Sequence, residues 1–189
     1  EKRMCWSDAH ATVEPCVVFS FGGNNLWDFE GAVVANTRCD VVQFDCFVKG
    51  HVPKHLASRV KFYSACVGNR NYTDSDGRKF YDLQGINELV GRTKGPTYMK
   101  MDIEGSEWDV MSSVFNMPEA QMPQQIAMEL HYQTEMPLPW KHRLKTIEEI
   151  LLLMNALFQK AGFLLVDRHD NERCPHCAEI VLAKAVCGL

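Results

Sequence analysis

The chain has 189 residues, enough for one domain with a self-sufficient core. Its net charge of -4 argues against a general nucleic-acid binder, which carries a basic face. No apolar run is long enough to span a bilayer, because the greasiest stretch, residues 147–157, is interrupted by Glu148, Glu149 and Asn155.

Residues 1–14 read as an N-terminal extension of a single domain that covers 1–189; residue 1 is not Met, and an upstream targeting segment is compatible with that. The continuous apolar run of residues 16–21 predicts a central strand covered on both faces. It stops at Gly22-Gly23-Asn24-Asn25, and a helix over 26–36 follows, with Asp28 and Glu30 in its first turn where the helix dipole favours them. Residues 41–45 and 60–67 predict a second and third strand, and the Asn-, Asp- and Gly-rich stretch 69–78 a loop or hairpin tip. A fourth strand over 97–103 leads into a helix over 106–115, and a fifth strand spans 125–131. After a loop over 133–140, a long amphipathic helix is expected over 142–161. Leu144, Ile147, Ile150, Leu151, Met154, Leu157 and Phe158 share one face of it, and Gly162 ends it. Two last strands, 163–168 and 179–183, are close enough to form an antiparallel pair. Strands alternating with helices predict an α/β fold with a mostly parallel sheet. Five such strands closed by a hairpin are the layout of a three-layer, Rossmann-like class I methyltransferase sheet.

Eight cysteines are many for a cytosolic domain, and they tilt the expectation towards a secretory or lumenal setting over a cytoplasmic one. Cys16, Cys46 and Cys66 lie in or beside apolar runs, where free cysteine acts as a small buried hydrophobe. Cys174-Pro175-His176-Cys177 lacks a second ligand pair for tetrahedral zinc and does not open a helix, so a local disulfide or free thiols are expected there.

Four places carry candidate chemistry. Ser20, Gly22, Gly23 and Asn24 form a turn that lets backbone approach a ligand, but it is neither G-x-G-x-x-G nor a P-loop. Asp45 ends the second strand, where an acid can accept hydrogen bonds from both hydroxyls of a ribose. In Lys100-Met101-Asp102-Ile103-Glu104-Gly105-Ser106-Glu107, Asp102 and Glu104 share one strand face, while Ser106 is placed to cap the next helix with Asp109, and Glu107 to solvate it. Lys100 is placed to pair with one of the acids. Glu129 and His131 reach the same carboxyl edge, and a histidine there can deprotonate an acceptor hydroxyl. No ligand spacing demands a metal, so none is expected, although Asp102, Glu104, Glu129 and His131 have the donor types for one.

Residues 98–107 resemble the Lys-x-Asp-x-Glu-Gly-x-Glu signature of FkbM-type S-adenosylmethionine-dependent methyltransferases. With the turn at residues 18–22, Phe44-Asp45 and residues 127–131, the chain is similar to the eukaryotic methyltransferase-like group of secretory-pathway proteins. The resemblance spans residues 14–185. It implies S-adenosylmethionine as cofactor, with Gly22 and Gly23 along its methionine part, Asp45 at the ribose and Asp102 near the methyl-transfer centre. It further implies O-methylation of a small-molecule or glycan acceptor. For such a transfer the residues themselves suggest His131 as base, with Glu129 or Glu104 orienting it. Ser20 departs from the family by standing where an acid is common. Two rival expectations are a non-catalytic module that keeps the fold and a metal-dependent hydrolase or transferase that uses the same acids.

Overall fold

A computed structural model describes residue 2, residues 15–132 and residues 145–185. The apolar run at the start becomes β1 (Val17–Phe21), with every side chain buried. It is followed by α1 (Asp28–Asn36), β2 (Asp40–Phe44) and β3 (Val60–Tyr63). Three short strands come next, β4 (Cys66–Val67), β5 (Tyr72–Thr73) and β6 (Lys79–Tyr81). The helix α2 (Leu83–Leu89) then begins at Asp82, whose side chain accepts the Gly85 N–H at 2.7 Å. The second half holds β7 (Tyr98–Met101), α3 (Glu107–Val114), β8 (Gln125–His131), α4 (Ile147–Ala161), β9 (Phe163–Asp170) and β10 (Cys177–Lys184).

The main sheet has the order β3-β2-β1-β7-β8-β10-β9. Its first five strands run parallel, while β10 is antiparallel to both β8 and β9. The side-chain period of two sorts the core into two layers. Phe19, Phe21, Phe44, Met99, Met101 and Met128 pack with Ile86, Val110, Met111 and Leu157 on one face. Val18, Val41, Tyr98 and Ala127 pack with Val33 and Leu56 on the other. Because β1, β2, β7 and β8 are parallel, Phe21, Phe44, Met101 and His131 all end at one edge. A small sheet, β4-β6-β5, stands beside that edge.

Several sequence expectations need correction. The stretch 60–67 is broken into β3 and β4, and 69–78 carries β5 of the small sheet. The strand expected over 97–103 ends at Met101, so Asp102 and Glu104 belong to a turn and not to one strand face. On α4 the buried stripe is Leu153, Leu157 and Ala161. Ile147, Leu151 and Phe158, placed on the core face by periodicity, are exposed. A second apolar stripe runs beside the buried one, and the helical pattern does not say which of two greasy faces meets the sheet. The helix starts at Ile147, later than the expected 142, with Thr146 and Glu149 forming a capping box, and Gly162 closes it as expected at φ 67°. Residues 133–140 and Leu144 lie outside the described residues.

The strand cysteines are not free hydrophobes. Cys16 pairs with Cys39 and Cys46 with Cys66, while Cys174 pairs locally with Cys177. The first two bridges close loops with separations of 23 and 20 residues. Loops of that size constrain the unfolded chain by about 3 kcal/mol each in the chain-entropy account. Replacing Cys16 and Cys39 together by alanine is therefore expected to lower unfolding free energy by about 2–4 kcal/mol, read from urea titrations of the two proteins.

Candidate functional site

The turn after β1 is built by close backbone contact. Gly22 has φ +75°, and a Cβ there would fall 1.7 Å from the Asp102 carbonyl oxygen. A Cβ on Gly23 would fall 1.7 Å from Gln43 Nε2. Gly22 is thus required by the approach of two loops to each other, while Gly23 makes room for the Gln43 side chain. Lys100 fixes the same turn from below: its Nζ donates to the carbonyls of Phe21 at 3.2 Å and Gly22 at 2.8 Å. Burial holds this ammonium below the ordinary lysine range, and its hydrogen bonds go to the turn carbonyls where a pairing with an acid was expected. Asp45 completes the arrangement. Its Oδ2 accepts the Asn24 N–H and its Oδ1 the Phe47 N–H, both at 2.9 Å. Each oxygen keeps capacity for a further donor.

These groups open onto a cavity of about 920 Å³, in the size range of small-molecule and cofactor sites. Gly22, Gly23, Asn24, Asp45, Asp102 and Glu104 all line it. The outer wall comes from the small sheet and the loop after β2, where Phe47, Tyr72 and Phe80 stand. Tyr72 and Phe80 stack with centroids 4.6 Å apart. The Cys46–Cys66 bridge joins the β2 loop to that wall.

Ser20, a predicted cofactor contact, is fully buried and is not part of the lining. Its Oγ instead donates to Glu30 Oε1 at 2.6 Å. Glu30, on the first turn of α1, is 1% exposed and does line the cavity. Gln43 Nε2 donates to the same oxygen at 3.2 Å, while Glu30 Oε2 has no hydrogen-bond partner.

The acids after β7 sit in a tight turn in which Glu104 adopts φ 55° and Gly105 φ 94°. Ser106 does not cap α3 through its side chain. Glu107 is also not the solvated residue expected: it is wholly buried, and its Oε1 accepts the Ile103 N–H at 2.9 Å and meets His131 Nδ1 at 3.1 Å. His131 Nε2 lies 3.5 Å from Glu104. Burial alone would lower the pKa of His131, but the hydrogen bond to Glu107 and the charges of Glu107, Glu104 and Glu129 push it up to about 9. At neutral pH the ring therefore already holds a proton, which conflicts with its expected role as the initial base. Neither His131 nor Glu129 lines the cavity; both stand behind the Asp102–Glu104 turn.

Glu129 shares its surroundings with Lys2, whose Nζ lies 3.3 Å from Asp102, 3.5 Å from Glu129 and 2.7 Å from Glu179. Burial opposes the Lys2 charge, but the three carboxylates outweigh it and hold the ammonium above its ordinary range. Asp102 is held below the usual carboxylate range: burial pushes it up, and Lys2 and Lys100 outweigh that. Burial lifts Glu104 above its ordinary value; the neighbouring carboxylates add to this and His131 opposes it.

Donor atoms of Glu129, His131, Cys174 and Cys177 lie within 4.8 Å of one another, as do those of Asp102, Glu104 and His131. The first set has its sulfurs joined in a disulfide, and metal ligation needs thiolates. The second includes a ring whose raised pKa means that a metal would have to displace a proton to bind there.

The main-sheet order, with its one reversed strand between the last two parallel ones, is that of the class I methyltransferase fold. No family model and no curated protein matches the chain. Solved structures do. The 16S rRNA (adenine(1408)-N(1))-methyltransferase W203A mutant from Catenulisporales acidiphilia is 13% identical at TM-score 0.52, over 94% of this chain and 88% of that one. The antibiotic-resistance methyltransferase Kmr is 11% identical at TM-score 0.50, over 96% of this chain and 95% of that one. The [4+2]-cyclase SpnF is 10% identical at TM-score 0.52, over 89% and 75%. The chain spans about half (52%) of the pyocyanin biosynthetic protein PhzM, which it also matches. Identities this low establish the fold, and a cyclase among methyltransferases shows that activity has to be argued from the site.

The sequence reading missed Glu30, Glu107 and Glu179. For Glu30 a signal existed: it lies three residues before Val33, and these two form the buried side of α1. An acid spaced one helical turn from a buried valine points to a polar partner inside.

His131 yields a test with a defined sign. Its folded pKa of about 9 exceeds the ordinary 6.5, so its stabilising contribution is complete below about pH 6.5 and is lost as pH rises through 9. NMR titration is expected to show an imidazole midpoint near 9 that falls in Glu107→Gln, together with a shallower alkaline loss of stability in that variant.

Proposed function

We propose that this protein is an S-adenosylmethionine-dependent methyltransferase of the FkbM-like, methyltransferase-like group, acting on a hydroxyl of a small molecule or glycan. The observation that carries this reading is the meeting of the Gly22-Gly23 turn, Asp45, Asp102 and Glu104 in one cavity at the carboxyl edge of a class I methyltransferase sheet. Ligands of open α/β sheets bind at that edge. The cavity also fits the group by chemistry: it offers Asp45 oxygens with spare acceptor capacity and an unpartnered buried carboxylate oxygen on Glu30.

Bound there, the cofactor supplies an electrophilic methyl group on a sulfonium. Asp45 would accept hydrogen bonds from the ribose hydroxyls, and Gly22 and Gly23 would flank the methionine portion. Asp102, held ionised by Lys2 and Lys100, sets a negative potential beside the reacting end. The proton of the acceptor hydroxyl goes to Glu104, which faces the cavity and whose raised pKa makes it a better proton acceptor than an ordinary carboxylate. His131 stands behind Glu104 as an imidazolium and positions it, with Glu107 fixing the ring. Glu129 fixes Asn171, whose Nδ2 donates to it at 2.6 Å. The two bridges Cys16–Cys39 and Cys46–Cys66 support an oxidising compartment, in keeping with a secretory-pathway setting.

Calorimetry with S-adenosylhomocysteine, with and without EDTA, tests the reading. Saturable binding that EDTA leaves unchanged is expected. Asp45→Asn should weaken it by at least about tenfold, ~1.4 kcal/mol, because a ribose hydroxyl loses a charged acceptor. Absence of binding, or equal affinity for Asp45→Asn, would remove the cofactor or ribose assignment respectively. In turnover assays with a labelled methyl donor and cell extract, Glu104→Gln is expected to lower kcat by about 10²-fold or more while leaving S-adenosylhomocysteine affinity near wild type. Binding without any labelled product would favour the non-catalytic module.

A further inference from the structure

We propose that Glu30, held in place by Ser20 and Gln43, is an anionic subsite for a primary ammonium group at the inner end of the cavity. On the cofactor reading above, on which this rests, that group is the α-ammonium of the methionine portion.

The carboxylate is built in and left half-used. Glu30 is 1% exposed, and its Oε1 accepts Ser20 Oγ at 2.6 Å and Gln43 Nε2 at 3.2 Å. Its Oε2 has no hydrogen-bond partner, although the residue lines the cavity beside Gly22 and Gly23. Gln43 Oε1 is likewise without a partner. Buried oxygens that lack a donor are costly, and they mark where a donor is meant to arrive. Lys100, whose charge Glu30 influences, spends its hydrogen bonds on the Phe21 and Gly22 carbonyls.

The chemistry of the missing partner follows from what is offered. An acceptor-only, anionic group repels phosphate and carboxylate and suits a ligand with several N–H donors and no acceptor. A primary ammonium has three donors and a compact positive charge, and it joins the carboxylate in a charge-assisted hydrogen bond. The position also fits. Ser20 stands on β1 where related enzymes commonly carry an acid, and the Ser20–Glu30 hydrogen bond brings a carboxylate from α1 to that place. A helix thus supplies what the strand lacks. Ser20 and Gln43 are positioning residues: two donors on Oε1 fix the carboxylate rotamer and leave Oε2 for the ligand.

The test compares S-adenosylhomocysteine with its deamino analogue, which lacks only the ammonium, by calorimetry on the full chain. The wild type is expected to prefer S-adenosylhomocysteine by at least about tenfold, equivalent to ~1.4 kcal/mol. Glu30→Gln, which keeps shape and the Ser20 contact, should lose that preference by weakening S-adenosylhomocysteine and leaving the analogue unchanged. Ser20→Ala should give the same selective effect at smaller size, and thermal midpoints of the unliganded variants confirm that each is folded. Unchanged S-adenosylhomocysteine binding in Glu30→Gln overturns the subsite, as does parallel weakening of both ligands. Equal wild-type affinity for the two ligands overturns the subsite and leaves the cofactor reading standing. Binding of neither ligand by the folded wild type overturns the cofactor reading, and the assignment falls with it.

Discussion

The contact on which the site depends is the approach of the Gly22 backbone to the Asp102 carbonyl. Two loops, one after β1 and one after β7, meet so closely that no side chain fits between them. The parallel pairing of β1 with β7 brings the loops to the same edge, and Lys100 ties them by donating from β7 to the carbonyls of Phe21 and Gly22. Asp45 adds the third corner by holding the Asn24 amide from β2. The inner end of the cavity is therefore set by backbone and by buried polar groups, while its outer wall is built of side chains such as Phe47, Tyr72 and Phe80.

Charge is distributed around this framework in two tiers. Glu30, Asp45, Asp102 and Glu104 face the cavity. Behind the turn, Lys2 and His131 neutralise the carboxylates of Glu129, Glu179, Glu107 and Glu104. Burial of so many acids is tolerated because each has a cation or several donors close by. The second tier governs the first: the pKa of Asp102 is pulled down by Lys2 and Lys100, while that of Glu104 is raised by burial. Two carboxylates two residues apart are thereby shifted in opposite directions.

The fold was legible where the sequence carried uninterrupted apolar runs. The run at 16–21 read as a strand covered on both faces, and the glycine turn after it located the edge. Gly162 marked the end of α4, whereas the apolar stripe marked neither its start nor its orientation, since two stripes compete on that helix. The small sheet escaped because β4 and β5 are each two residues long, too short for any period to show. Asp45, Asp102 and Glu104 could be placed at the site from their position after strands. The partners that decide their chemistry are long-range: Glu107 meets His131 across 24 positions, and Ser20 meets Glu30 from strand to helix. Such pairings depend on packing, which local sequence does not encode. The base role of His131 illustrates this, since its residue type suggested an acceptor and its neighbours make it a held cation.

The Cys46–Cys66 bridge carries a consequence for ligand traffic. Both cysteines line the cavity, one directly after Asp45 and the other on the small sheet. A wall stapled to the floor cannot swing outward as a flap. The half-exposed Phe47, which rests against Arg78, stands on the same loop directly after Cys46. The covalent link thus limits how far the small sheet can move from Asp45 and favours a fixed cavity shape.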